Sequence, residues 1–276
     1  MSSAIRSGAS GHETFHKFFE CWLVEQNQHL HSLITASQHL NGNGATSNGR
    51  ITDYELRQLI NRVIRHYEDY YRVKSCCTKN DALAMFSPSW LSSLENAFLW
   101  MGGWRPTMAF HLLYSKSGIQ LEAALADLIR GLTTDDLADL SSAQLNRIDE
   151  LQRSTIREEK SLTEKMATHQ ETAADHEMVE LSQAVTEMVQ AEQRGGVDED
   201  ARMDMEERVE STLKPKEDGL EEMVERGDEL RLRTLKGILE VLTPVQAVHF
   251  LIAAAELHLR LHEWGKKRDA GANGRA

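Results

Sequence analysis

At 276 residues the chain can bury a substantial core, and 41% hydrophobic with 27% charged residues is ordinary globular composition. A formal net charge of -12 repels phosphate backbones and anionic membrane faces, which argues against direct binding to nucleic acid or membrane. Only 4 prolines, helical patterning along most of the length and no confident strand predict an all-α protein, a single multi-helix bundle domain.

Residues 1–11 are small and polar, lack the apolar core of a signal peptide, and are expected to be disordered. A first helix is predicted from His12 to Leu40, with Phe15, Phe19, Trp22 and Leu23 on an apolar stripe. Asn41 to Gly49 reads as a loop. Thr52 and Glu55 form a capping box, in which hydroxyl and carboxylate satisfy each other's orphan amides. The helix it opens carries Leu56, Ile60, Val63, Tyr67 and Tyr70 at helical spacing. Beyond Pro88, Leu91 to Met101 is predicted helical, with Gly102-Gly103 as its stop and Arg105-Pro106 starting the next helix.

Leu112, Leu113, Leu121, Leu125, Leu128 and Ile129 continue the helical pattern. Ser141 and Gln144 form a second capping box, opening a long helix toward Gln190. Gly195-Gly196 and the acidic run from Asp198 to Asp204 read as a loop, followed by a helix from Glu217 to Val241. Arg231-Leu232-Arg233 and Lys266-Lys267-Arg268 read as solvated helix faces. Thr243, Pro244 and Gln246 combine an N-cap, a proline at the first helical position and a capping box. The final helix runs to Lys267, so the helical domain is expected over 12–268 and a disordered tail over 269–276. No apolar run approaches the roughly 18 residues of a membrane span.

Three cysteines, Cys21, Cys76 and Cys77, make a poor disulfide framework and point to a reducing compartment. His12, Glu13 and His16 fit the H-E-x-x-H zinc pattern. Phe19 and Trp22 stand where an extended zinc motif needs Gly and His, and no preceding chain could build a substrate-binding sheet. The pattern is read as a polar helix start. No nucleophile elbow or phosphate loop appears, so neither a catalytic residue nor a metal site is assigned. Trp90, Trp100 and Trp104 could line a pocket, although helix-spaced aromatics more often build core.

His258 and His262 stand four apart on the last helix, a spacing that suits two cis ligands of one metal but not the two axial positions of one haem. The plainer reading is a pair of structural histidines.

Several blocks resemble one plant family. Cys21-Trp22-Leu23-Val24-Glu25-Gln26-Asn27 is similar to the W-L-x-E-Q-N opening of the domain that follows the bZIP in TGA transcription factors. His66-Tyr67, Arg72-Val73-Lys74-Ser75 and the block from Leu94 through Trp100-Met101-Gly102-Gly103-Trp104 to Pro106 fit the same domain. The segments 242–246 and 257–265 resemble its delay-of-germination (DOG) branch. This resemblance implies a non-enzymatic regulator of seed dormancy and abscisic acid signalling, in nucleus and cytoplasm, that binds type 2C protein phosphatases. It also implies haem binding through His258 and His262. The alternative it implies is a transcriptional co-regulator working through a bZIP partner. No basic region or leucine zipper precedes the domain, so direct DNA binding is not expected.

Overall fold

The computed structural model describes residues 11–41, 51–129, 140–194, 196 and 198–273, with the side chains of 11–14, 41, 119–129 and 273 outside that description. The expected disorder of 1–10 and the loop over 42–49 therefore lie outside the described residues, although Gly11 and Asn41 themselves belong to the first helix. The elements are α1 (Gly11–Asn41), α2 (Asp53–Thr78), α3 (Ala82–Phe86), α4 (Ser93–Asn96), α5 (Met108–Ile129), α6 (Ser142–Glu171), α7 (His176–Arg194), α8 (Glu199–Val241) and α9 (Pro244–Asn273). Among the described residues there is no β-strand, only an isolated bridge between Trp100 and Gly103.

Local signals start α2, α6 and α9 where they were expected. Thr52 and Glu55 close the capping box of α2, Ser141 and Gln144 that of α6, and Thr243 and Gln246 exchange the same pair of bonds at the head of α9. Of the predicted α1 stripe, Phe15, Phe19 and Trp22 are buried and Leu23 is half-buried, and Leu30 and Leu33 extend the buried face further along the helix. α1 lies along α9 and α6 along α8, while α2 packs against α1, α8 and α9. The main core, including Leu33, Leu56, Phe110, Ile148, Ile238 and Phe250, fills the space between them.

Several boundaries differ from the sequence prediction, among them the start of α5, which lies at Met108 and not at Arg105-Pro106. Leu91 to Met101 is not one helix: Ser92 and Glu95 cap the single turn α4, and the chain then reverses. The reversal is closed by Trp100 N–H to Gly103 O at 2.7 Å and Gly103 N–H to Trp100 O at 3.2 Å, with φ of 48° at Met101 and 67° at Gly102. The predicted helix from Ser142 toward Gln190 breaks at Thr172–Ala174, because Asp175 leaves the helix and caps α7 by accepting from Met178 N–H at 2.9 Å. The acidic run at Asp198 to Asp204 is the start of α8, where Glu199 and Asp200 meet the positive end of the helix dipole. α8 continues through Pro215, which costs one backbone rung. Just beyond it, His169 Nε2–H donates to Lys216 O at 2.8 Å and Lys216 Nζ donates to Thr172 O at 2.9 Å, bracing α8 against the end of α6.

α9 runs on to Asn273, past the start of the predicted tail, and its Asp269 accepts bonds from the Ser93 N–H and hydroxyl. No helix among the described residues is long and apolar enough to cross a membrane.

Candidate functional site

α9 places His258 and His262 one turn apart on the face that meets α1 and α4. The two imidazoles have different surroundings. His262 Nδ1–H donates to both carboxylate oxygens of Glu95, at 3.0 and 3.1 Å, and its ring stands edge-on to Phe19 at 5.8 Å. Glu95 also accepts from Ser92 N–H at 2.8 Å and Ser92 Oγ–H at 2.5 Å. Burial pulls the Glu95 pKa upward, but the bonds from His262 and Ser92 outweigh it and leave the carboxyl below its ordinary value. One carboxylate thus ties the cap of α4 to α9.

His258 has no hydrogen-bond partner among the described residues. Its ring leans on Trp22 at 5.3 Å, and desolvation lowers its pKa to about 4, so it is a neutral imidazole at pH 7. Trp22 is the centre of the cluster: His66 stacks flat on it at 4.6 Å, and Tyr70 tilts against it at 5.0 Å. His66 is also held near pKa 4, first by burial and then by His29, whose ring lies 4.8 Å away. The His66 Nε2 atom is buried with no hydrogen-bond partner among the described residues.

Beside these rings lies a cavity of about 200 Å³, walled by residues such as Trp22, Leu99, Trp104, Leu112, Ala254 and His258. Lys74, Asp228 and Arg231 form its far end, all three buried. Arg231, read from sequence as part of a solvated face, is fully buried. It donates from Nε to Trp104 O at 2.6 Å, from one terminal nitrogen to Asp228 at 2.5 Å, and from the other to the carbonyls of Trp100 and Met101. Lys74 donates to Gly102 O at 2.7 Å and lies 3.0 Å from the other Asp228 oxygen. Desolvation lowers the Lys74 pKa to about 8, with Asp228 opposing the fall.

These bonds explain the reversal at Trp100–Gly103, since the carbonyls of Trp100, Met101, Gly102 and Trp104 bond to buried cations and the reversed backbone is held in place. They also explain both glycines. A Cβ on Gly102 would lie 2.3 Å from Met85 O, and one on Gly103 would lie 2.7 Å from Arg231 Cζ.

The three tryptophans therefore divide. Trp90 is core, Trp104 lines the cavity and donates to Tyr71 Oη at 3.0 Å, and Trp100 carries the Arg231 guanidinium 5.4 Å from its ring. Sequence reasoning missed Glu95, Lys74, Asp228 and Arg231. The available signals were Lys74 inside the R-x-K-S block and Asp228 three residues before Arg231 on one helix face.

The other sequence candidates stand apart from this cluster. His16 pairs with Glu20 at 3.5 Å, and the His12 side chain lies outside the described residues. Cys21 and Cys76 are exposed and Cys77 is buried, all three as free thiols. Among the described residues, no group of three or more His, Cys, Asp or Glu is arranged to hold a metal ion.

As ligand chemistry, His258 suits haem iron, being neutral with both ring nitrogens free, and the walls beside it are apolar. The space does not suit the macrocycle: about 200 Å³ falls below the roughly 300–1,000 Å³ of ordinary small-molecule pockets. His262 keeps its Nδ1–H on Glu95, which leaves Nε2 as the atom it could offer a metal.

Residues 29–115 match the family model described as seed dormancy control, DOG1. Protein DOG1-like 4 of Arabidopsis thaliana is 33% identical over 93% of this chain and 94% of its own length. Protein RESPONSE TO ABA AND SALT 1, from the same plant, is 26% identical over 94% of this chain and 98% of its own length. Transcription factor TGA6, again from Arabidopsis thaliana, is 26% identical over 94% of this chain but 65% of its own length.

Proposed function

The chain belongs to the DOG1 seed-dormancy-control family, and from that premise we propose that it is a non-enzymatic regulator of seed dormancy and abscisic acid response. In this reading it acts in nucleus and cytoplasm by docking its helical surface on type 2C protein phosphatases. The observation that carries the reading is the end-to-end likeness to Protein DOG1-like 4, supported by the relative named for its response to abscisic acid and salt. The test is co-precipitation of the full chain with the type 2C phosphatases of the abscisic acid pathway, with germination scored in plants lacking the protein. Failure to retain any of them would remove the phosphatase from the proposal.

Haem enters the proposal through His258. A haem titration followed at the Soret band, on wild type and His258→Ala, decides: a saturable shift lost in the variant supports haem, and no shift removes it.

The likeness to TGA6 over 94% of the chain favours a second reading, a co-regulator recruited to promoters by a bZIP partner. It predicts promoter occupancy that disappears when the partner is deleted.

A further inference from the structure

The cavity beside Trp22 has polar groups that the fold leaves unused. Tyr70 and His258 both line it, and neither the phenol hydroxyl nor the imidazole has a hydrogen-bond partner among the described residues. Their neighbours are paired instead. Tyr67 Oη accepts from Gln26 at 2.9 Å, Tyr71 Oη accepts from Trp104, and His262 is held by Glu95. Both residues are half-buried, and polar groups that face a cavity without a protein partner are free to bond a ligand.

The size of the space limits the ligand. An apolar protein cavity of about 150 Å³ holds benzene. The cavity here, about 200 Å³, has room for one aromatic ring and a small substituent.

Charge limits it further. The two cations at the far end are already occupied by Asp228 and by four backbone carbonyls, and the Glu95 carboxylate also lines the wall. An anionic ligand would therefore meet a carboxylate and no free cation. A neutral hydroxyl could donate to the imidazole and accept from the phenol.

We propose that this cavity is a binding site for a neutral, single-ring aromatic compound bearing a hydroxyl group, held by Tyr70 and His258 over the face of Trp22. The site stands on the cavity and its two unpaired groups, and is independent of the phosphatase and bZIP readings. It is also an alternative to haem at His258, since both ligands would use the same imidazole.

The experiment is calorimetric titration of the full chain with phenol, benzyl alcohol, toluene and benzoate, repeated on Tyr70→Phe and Ala254→Leu. The expected order places phenol and benzyl alcohol ahead of toluene, and toluene ahead of benzoate. Tyr70→Phe should weaken the two hydroxyl compounds about tenfold and leave toluene unchanged, the loss of one buried hydrogen bond. Ala254→Leu, which fills the cavity, should abolish all binding while circular dichroism stays helical. If no compound binds the wild-type chain, the cavity is a packing void and the proposal is overturned. If toluene binds as well as phenol and Tyr70→Phe changes nothing, the space is apolar only and recognition by Tyr70 and His258 is overturned. Binding that survives Ala254→Leu would place it elsewhere and overturn the site.

Discussion

Replacing Asp228 with alanine is the sharpest test of how the chain holds its most distinctive segment. The Asp228 carboxylate is the counterion for two buried cations, Lys74 at 3.0 Å and Arg231 at 2.5 Å, whose side chains are 2% and 0% exposed. Removing one partner of a buried ion group leaves charge without compensation and costs about 3–5 kcal/mol. For a chain of this length that corresponds to a fall in Tm of roughly 6–20 °C. Lys74 already has its pKa lowered to about 8 with Asp228 present, so it should lose its proton more readily in the variant. Arg231 cannot do so and keeps its bonds to the Trp100, Met101 and Trp104 carbonyls. Scanning calorimetry measures the loss. Adding Lys74→Met to Asp228→Ala removes one stranded cation and should recover part of it, so the double variant melts above the single. A single variant within about 1 kcal/mol of wild type, or a double variant no better than the single, would refute the claim that Asp228 works by neutralising both cations.

Gly102→Ala should cost about 1–3 kcal/mol or more, because φ is +67° and the new methyl meets the Met85 carbonyl. Gly103→Ala should displace the Arg231 guanidinium instead; denaturant unfolding measures both variants. His66 and His258 both have pKa lowered to about 4 by burial, against about 6.5 when unfolded, so the unfolded chain binds more protons between those values. Their contribution is full above pH 6.5 and is lost as pH falls toward 4, at about 2 kcal/mol each by pH 5. Melting curves between pH 7 and 5 should show that fall, and His258→Phe should reduce it by about half; a flat profile over this range would contradict the burial of these rings. Cys21 and Cys76 are exposed, whereas burial raises the Cys77 pKa. A disulfide reagent should therefore label two thiols quickly and Cys77 only on unfolding.

Much of the architecture was legible along the chain. The capping boxes at Thr52, Ser141 and Thr243 rest on contacts three residues apart, and the Phe15–Trp22 stripe on the helical repeat, so short-range patterning was enough to read them. His258 and His262 were found by the same spacing. Their different states were not, because one ring answers to Glu95, 167 residues away, and the other to burial against Trp22.

Where prediction and structure parted, short-range signals competed with one another or with distant partners. Asp175 could continue a helix or cap one, and it caps. The acidic residues at the start of α8 suit a solvated loop and a helix N-terminus equally well. From Leu91 to Met101 the local preference for helix lost to bonds from Arg231, 131 residues from Trp100, and from Lys74, 28 residues from Gly102. By itself the sequence determined the all-α class, most helix starts and the family, because these depend on residue type at fixed short spacing. The tertiary structure alone decided the buried ion cluster, the reversal at Met101-Gly102 and the cavity beside Trp22, because a charge buried by distant helices bonds to whatever backbone those helices bring within reach.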